Sequence, residues 1–455
     1  MSGRLTLSLT RRAAAALAAV LAAAARLPAQ APVAQTPVDS ALATYVAGVR
    51  AVDAHAHPMR PVAPGAPADT EYDALPLDGI PPFALPARLR PEHPAWRAAQ
   101  RALYGLTRAD TGAAYRAALA AAAARVQAGQ GTRFPAWALD QAGVEVMLAN
   151  RVAMGPGLDA PRFRWVSFVD ALMLPLDVRG EAARSPDVRP LYPREAALLR
   201  RYLRDLGVRA LPATLDGYVR QVVAPTLDRQ RRAGAVAVKF EAAYLRPLDF
   251  DDPDPARARR VYARYVAGGT PSHAEYKALE DYLFREIARE AGRRGLAVQI
   301  HVLELFGAFY SPRGSAPHLL EPALNDSSLR GTNFVIVHGG WPLVGETQGL
   351  LAKPNVYADV SMVDLVTEPA VLAGVLRPWL GEWPDKVLYG SDAFDGGPGQ
   401  GWEQGAWVGA ATARRGLTIA LTGMLRDGEV DRARAEQIAR MVLRENARAA
   451  YPLLR

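Results

Sequence analysis

From residue 143 onward, short apolar runs alternate with longer segments of helical spacing. The runs are 143–149 (GVEVMLA), 163–169 (FRWVSFV), 235–241 (AVAVKFE), 296–302 (LAVQIHV), 334–337 (FVIV), 356–360 (VYADV) and 386–389 (KVLY). Helical patterns cover Pro193 to Ala233 and Ser272 to Gly292. An earlier apolar run, Tyr45 to Val52, leads into Asp53-Ala54-His55-Ala56-His57-Pro58 and brings the β-rich segments to eight. Strands that are apolar on both faces belong to a parallel sheet with helices packed outside it. Eight strand–helix units predict an α/β fold, the (β/α)8 TIM barrel, rather than an open doubly wound sheet. No G-x-G-x-x-G follows the early strands, which argues against a dinucleotide fold.

Two stretches break the rhythm, 59–140 after the first strand and 171–233 after the third, and both read as insertions. The first opens with a Pro- and Gly-dense segment, Met59 to Pro94, followed by helical patterns at Ala95–Tyr104 and Thr107–Gln127. A loop of that length in a compact domain is usually functional or disordered, and it is expected to lie over the mouth of the barrel.

Composition narrows the chemistry. The chain has 455 residues, half of them hydrophobic, and no cysteine. That excludes disulfides, thiolate metal sites and cysteine nucleophiles, so any transition-metal site must use His, Asp, Glu or a modified Lys. The formal charge is +8, but Arg4, Arg11, Arg12 and Arg26 lie in residues 1–31, which contain no acid. The remaining arginines are interspersed with acids, without the aromatic–basic interleaving of a nucleic-acid surface. No nucleic-acid partner is expected.

The amino terminus reads as a signal peptide over 1–31. A basic start precedes the apolar run Ala13 to Ala25, and small residues follow at Leu27-Pro28-Ala29-Gln30-Ala31. The run is too short to span a bilayer, so no stable membrane insertion is expected. Thr10-Arg11-Arg12 has the form of a twin-arginine signal, which exports folded proteins. Residues 32–44 read as a linker and 45–455 as the barrel, in an exported, periplasmic protein.

On such a barrel, function collects at the carboxyl ends of the strands. Four of the seven histidines fall there: His55 and His57 on the first strand, His301 on the fifth and His338 on the sixth. Residues two apart on a strand share a face, so His55 and His57 project together. Lys239 ends the fourth strand and Ser391-Asp392 follow the eighth. A bare H-x-H also reads as two surface histidines. Polar groups ending several apolar strands must each be desolvated, however, and a shared cation explains them together. His93, His273 and His318 fall in the insertion, at a helix start and in a loop, and read as exposed residues. Asp53 reads as structural. Glu304 and Tyr310 are candidates to line the pocket, and Trp341 and Trp402 to wall it.

With those pieces in view the chain resembles the amidohydrolase superfamily, in particular the amidohydrolase-related branch that includes aminocarboxymuconate-semialdehyde decarboxylase. The matching segments are VDAHAHP (52–58), IHV (300–302), VHGGWP (337–342), KPNVYADVS (353–361), VLYGSDAF (387–394) and ENARAAYPL (445–453). The segments 59–140 and 171–233 match nothing in it and leave the substrate open. The resemblance implies that His55, His57, His301 and Asp392 bind one divalent ion, most often Zn2+. His338 then binds a second ion or hydrogen-bonds the activated water. These N/O ligands accept manganese or iron as well. Such a centre acidifies a bound water to a pKa near ~7, and Asp392 is positioned to act as general base.

Lys239 has three readings: a carboxylated ligand bridging two ions, a point charge for a substrate carboxylate, or a strand residue with its amine at the rim. Glu241, Tyr244 and Arg246, just beyond it, are candidate substrate contacts, as is Trp341. The expected activity is metal-dependent hydrolysis of a small-molecule amide, lactone or ester, with His338 steadying the oxyanion. The alternatives are a non-oxidative decarboxylase (a lyase) with the same ion site, and an inactive binding protein on the same barrel. Oligomeric state is not legible.

Overall fold

In the computed structural model, eight strands run in chain order: Ala51–Ala56 (β1), Val144–Arg151 (β2), Phe163–Phe168 (β3), Ala235–Phe240 (β4), Ala297–His301 (β5), Phe334–Val337 (β6), Val356–Asp359 (β7) and Val387–Leu388 (β8). Each pairs in parallel with the next, from β1 to β8. Backbone bonds from Ala54 N to Tyr389 O (2.9 Å), His57 N to Ala393 O (2.8 Å) and Asp392 N to His55 O (2.8 Å) draw the last strand back to the first. The predicted (β/α)8 barrel is the fold. The structure describes residues 36–62, 65–77, 85–108, 110, 112–303, 311–397 and 399–454. The signal segment 1–31, Glu304 and Tyr310 lie outside the described residues.

Hydrophobic burial explains the layering. The outward residues of the strands, such as Val238, Phe240, Val298, Ile300 and Ile336, join the principal core beneath the helices. Inside the barrel a second cluster gathers Val52, Leu148, Val166, Val236, Ala297 and Val335 with Ala447, Ala450, Tyr451 and Leu454 from the carboxyl terminus. Asn333 Nδ2 donates to Ala450 O (2.9 Å) and an Arg164 guanidinium nitrogen to Leu453 O (2.8 Å), so this terminal segment sits under the amino-terminal ends of the strands. The ENARAAYPL segment is therefore the floor of the barrel.

The linker boundary is corrected. Residues Ser40–Gly48 form a helix capped by Asp39, whose carboxylate accepts from Leu42 N at 2.8 Å. Leu42 and Val46, one helical turn apart, are fully buried. The folded part thus begins near Asp39, and the apolar run from Tyr45 starts as helix before turning into β1. The insertion after β1 supplies helices Pro94–Tyr104, Ala113–Gln130 and Phe134–Ala142; the one after β3 supplies Tyr192–Asp205 and Ala224–Arg232 among others. Among the described residues, no helix is long and apolar enough to cross a membrane.

β1 departs from regular alternation. Its step from Asp53 to Ala56 pairs with the shorter step from Met147 to Ala149 on β2, a bulge. Bulges re-aim side chains, and this one turns His55 inward above Val52 and Ala54.

Candidate metal centre

The carboxyl ends of five strands bring polar side chains together. His55 Nε2 lies 3.2 Å from Asp392 Oδ1 and 3.2 Å from Lys239 Nζ. His57, the first residue past β1, places its Nε2 3.6 Å from the same Asp392 oxygen. His338 Nε2 lies 3.2 Å from His301 Nδ1. The His338 ring stands edge-on to His55 and His301, with centroids 5.3 and 4.6 Å away. All six predicted ion-site residues, His55, His57, Lys239, His301, His338 and Asp392, meet in one cluster, and all are buried.

Neighbours fix which nitrogen faces inward for His55 and His338. Gln299 Nε2 donates to Ala54 O (2.7 Å) and Tyr451 Oη (2.8 Å), so its Oε1 is left to accept from His55 Nδ1 at 3.1 Å. The ring proton then sits on Nδ1, and the Nε2 lone pair points to Asp392. The Asn150 amide nitrogen lies 2.9 Å from that Nδ1 while its Oδ1 is buried without a partner, and exchanging the two amide atoms would suit this tautomer. For His338 the same logic runs through Ser361. The Ser361 hydroxyl donates to Asp359 Oδ1 (2.5 Å), so Oγ accepts from His338 Nδ1 at 3.0 Å. His338 Nε2 is left as a lone pair with no proton to give, which removes the expected oxyanion-donor role and suits a ligand or proton acceptor.

Electrostatics point the same way. Burial, then the nearby Lys239 ammonium, holds His55 and His301 well below the usual histidine range; burial does the same for His338 against the pull of Asp392. Neutral imidazole is the ligand form. His301 Nε2 is buried without a protein partner. Inward lone pairs, a carboxylate and an orphaned buried nitrogen fit a divalent ion.

The backbone is strained at this end. Leu303, His338, Met362 and Asp392 are non-glycine residues at φ of 55°, 65°, 61° and 50°. Each follows a strand, and such conformations persist where surrounding structure over-determines them. Asp53 is structural, as expected. Its oxygens accept from Ser391 N (2.9 Å) and Oγ (2.5 Å), seating the loop that carries Asp392, and burial pushes its carboxyl up to about 7. Gly390 allows a close approach there, since a Cβ would lie 3.1 Å from Ser361 Cβ and 3.3 Å from His55 N.

The remaining candidates divide. The Lys239 side chain is fully buried, which excludes an amine at the rim. The Tyr244 ring packs on His301, with centroids 4.6 Å apart, and borders a cavity of about 290 Å³ that Arg184, Asp187, Arg246 and Ser311 also line. The Arg246 guanidinium is committed to Glu280 (3.1 Å) and Asp281 (2.8 Å), so an ion-pair network holds it rather than leaving it for a substrate. Trp341 is half-buried against the core, its N–H bonded to His338 O at 3.0 Å. Trp402 is core, packed edge-on to Phe134 and Phe163. His93 caps its helix through Nδ1, His273 pairs with Glu181 and His318 with Glu346, all outside the cluster.

Sequence reasoning missed Gln299, although its place two residues before His301 on one strand face was a signal. It also missed the Asp359–Ser361 pair, inside a quoted motif. Asp73, Asp170 and Glu195, which flank Glu241, carry no sequence signal.

No protein-family model matches the chain, and no curated protein does. Solved structures resemble its fold. A provisionally assigned metal-dependent hydrolase from Lactobacillus casei ATCC 334 aligns with a TM-score of 0.55 at 15% identity, covering 91% of this chain and 98% of that one. A uronate isomerase from Thermotoga maritima gives 0.54 at 13%, covering 90% and 96%. A glucuronate isomerase from Caulobacter crescentus gives 0.57 at 14%, covering 91% and 93%. At these identities the likeness is one of fold.

Proposed function

We propose that this chain is an exported, metal-dependent enzyme of the amidohydrolase superfamily that hydrolyses an amide, lactone or ester of a small molecule. The observation that carries the reading is the convergence of four buried histidines, Lys239 and Asp392 at the mouth. Among the fold neighbours the provisional metal-dependent hydrolase favours this reading, and the two uronate-class isomerases supply its rival, isomerisation. The amino-terminal signal pattern supports export.

His55, His57, His301 and Asp392 hold the ion, Zn2+ in this reading. A divalent ion in such a set supplies an acidified water and a polarised carbonyl. Asp392 offers Oδ1 to the His55 and His57 side, while Oδ2 lies 3.9 Å from His338 Nδ1. One oxygen can thus ligate while the other takes a proton as general base. His338 accepts at Nε2 or ligates there. Lys239, its Nζ 3.2 Å from His55 Nε2, either pairs with a substrate carboxylate as an ammonium or, carboxylated, bridges to a second ion.

The test is protein loaded separately with zinc, manganese and iron, assayed on amides, lactones, esters, aromatic acids and uronic acids. Hydrolysis of one carbonyl class is expected, reduced about 10³-fold in Asp392→Asn together with loss of bound ion. Release of carbon dioxide from an aromatic acid, isomerisation of a uronic acid, or normal turnover by Asp392→Asn would overturn it.

A further inference from the structure

Behind the ion-site cluster lies a second group of side chains that the proposed reaction does not use. His57 shows one ring nitrogen to each group: Nε2 to Asp392, and Nδ1 3.6 Å from Asp73 Oδ2. Glu241, the first residue past β4, completes a triangle in which ligand atoms of His57, Asp73 and Glu241 all lie within 4.8 Å of one another. That separation is the size of a coordination sphere, whose bonds are near 2.0–2.2 Å. His57 and Glu241 are 6% and 2% exposed, and His57 Nδ1 and Glu241 Oε2 have no hydrogen-bond partner. The Asp73 side chain, 18% exposed, leaves an approach from outside.

Lys239 is the counter-charge near these carboxyls. Asp170 Oδ2 accepts from Glu241 N at 2.8 Å and holds it in place, while Asp170 Oδ1 and both oxygens of Glu195 are buried without partners. Burial pushes the Glu195 carboxyl well above its ordinary range, and Asp170 and Asp73 add to it. Lys239 is the near cation, but its amine faces His55. Three buried carboxyls beside the partly exposed Asp73 are costly as anions unless a cation is shared among them.

We propose that His57 Nδ1, Asp73 and Glu241 bind an additional divalent cation of the manganese–zinc class, with Asp170 as the residue that positions Glu241. One imidazole nitrogen with carboxylate oxygens and no thiolate suits such an ion. The site is separate from a two-ion centre built on Lys239, His301 and His338, since it takes none of those residues. His57 is the link between the two. With an ion on each nitrogen its ring carries no proton, so filling the additional site releases one.

The test counts bound ions per chain in the full-length protein after equilibrium dialysis with Mn2+, by elemental analysis and Mn2+ spectroscopy. Glu241→Gln and Asp73→Asn are each expected to bind one ion fewer than the parent, while Asp392→Asn keeps the ion that those variants lose. Asp73 is partly exposed, so its variant decides the matter if Glu241→Gln does not fold. Unchanged ion counts in a folded Asp73→Asn protein overturn the proposal. So does stabilisation of the parent by butylammonium that Asp73→Asn abolishes without changing the ion count, which would make the pocket a site for organic ammonium groups. If Asp392→Asn loses no ion, the principal centre is misassigned while this site stands on its own variants.

Discussion

At the amino-terminal end of the strands, Val52, Leu148, Val166 and Val335 meet Ala450, Tyr451 and Leu454 in an apolar plug. At the other end the same strands deliver four histidines, a lysine and an aspartate into a buried space, on backbone that is left-handed at His338 and Asp392. The floor obeys the rule that apolar side chains fill a barrel, and its segments are replaceable by others of similar shape. The mouth breaks that rule at nearly every strand, and it is held by hydrogen bonds rather than by packing. The contrast teaches where stability and chemistry are separately stored, and Gln299 joins the two, touching Tyr451 below and His55 above.

The comparison breaks most visibly at the floor. Tyr451→Ala empties a fully buried position and is expected to cost about 3–5 kcal/mol, measured by denaturant unfolding, with ion content unchanged in the folded fraction. An equal loss of ion content and stability would show that the two ends are not separable. Gln299→Leu strikes the joint. Losing the residue that fixes the His55 tautomer is expected to weaken metal binding about 10–100-fold, read by competition with a chelator, with only a modest fall in stability. If affinity holds, the tautomer is set by Asn150 alone. The finest probe is Tyr451→Phe, which removes one hydroxyl and keeps the packing. It should cost about 1 kcal/mol and leave both ion content and the unfolding slope as they were.

Much of the mouth was legible in the sequence because strand ends in this architecture have a fixed job. A histidine after FVIV or a lysine at the end of AVAVKF stands out against an apolar run. The helix at Ser40–Gly48 was not legible, because a short apolar run does not distinguish helix from strand, and the signal lay instead in Asp39 as a cap and the Leu42–Val46 spacing. The β1 bulge leaves no mark in composition. Asp73 comes from a Pro- and Gly-dense stretch and Glu195 from a helical pattern that does not show what its faces meet, and only folding brings them beside His57 and Glu241. Arg246 had a second role that the sequence does not show: it lines the cavity beside Tyr244 and is also ion-paired with Glu280 and Asp281.

The seam where β8 meets β1 has one more implication. β8 is two residues long, and the first and last strands are stitched by the amides of Ala54, His57 and Asp392 alongside ligands drawn from both sides. In the proposed reading, an ion held by His55, His57 and Asp392 would act as a clasp across that join. Its removal would then undo the buckle of the barrel, and hydrogen exchange at these amides is expected to rise first.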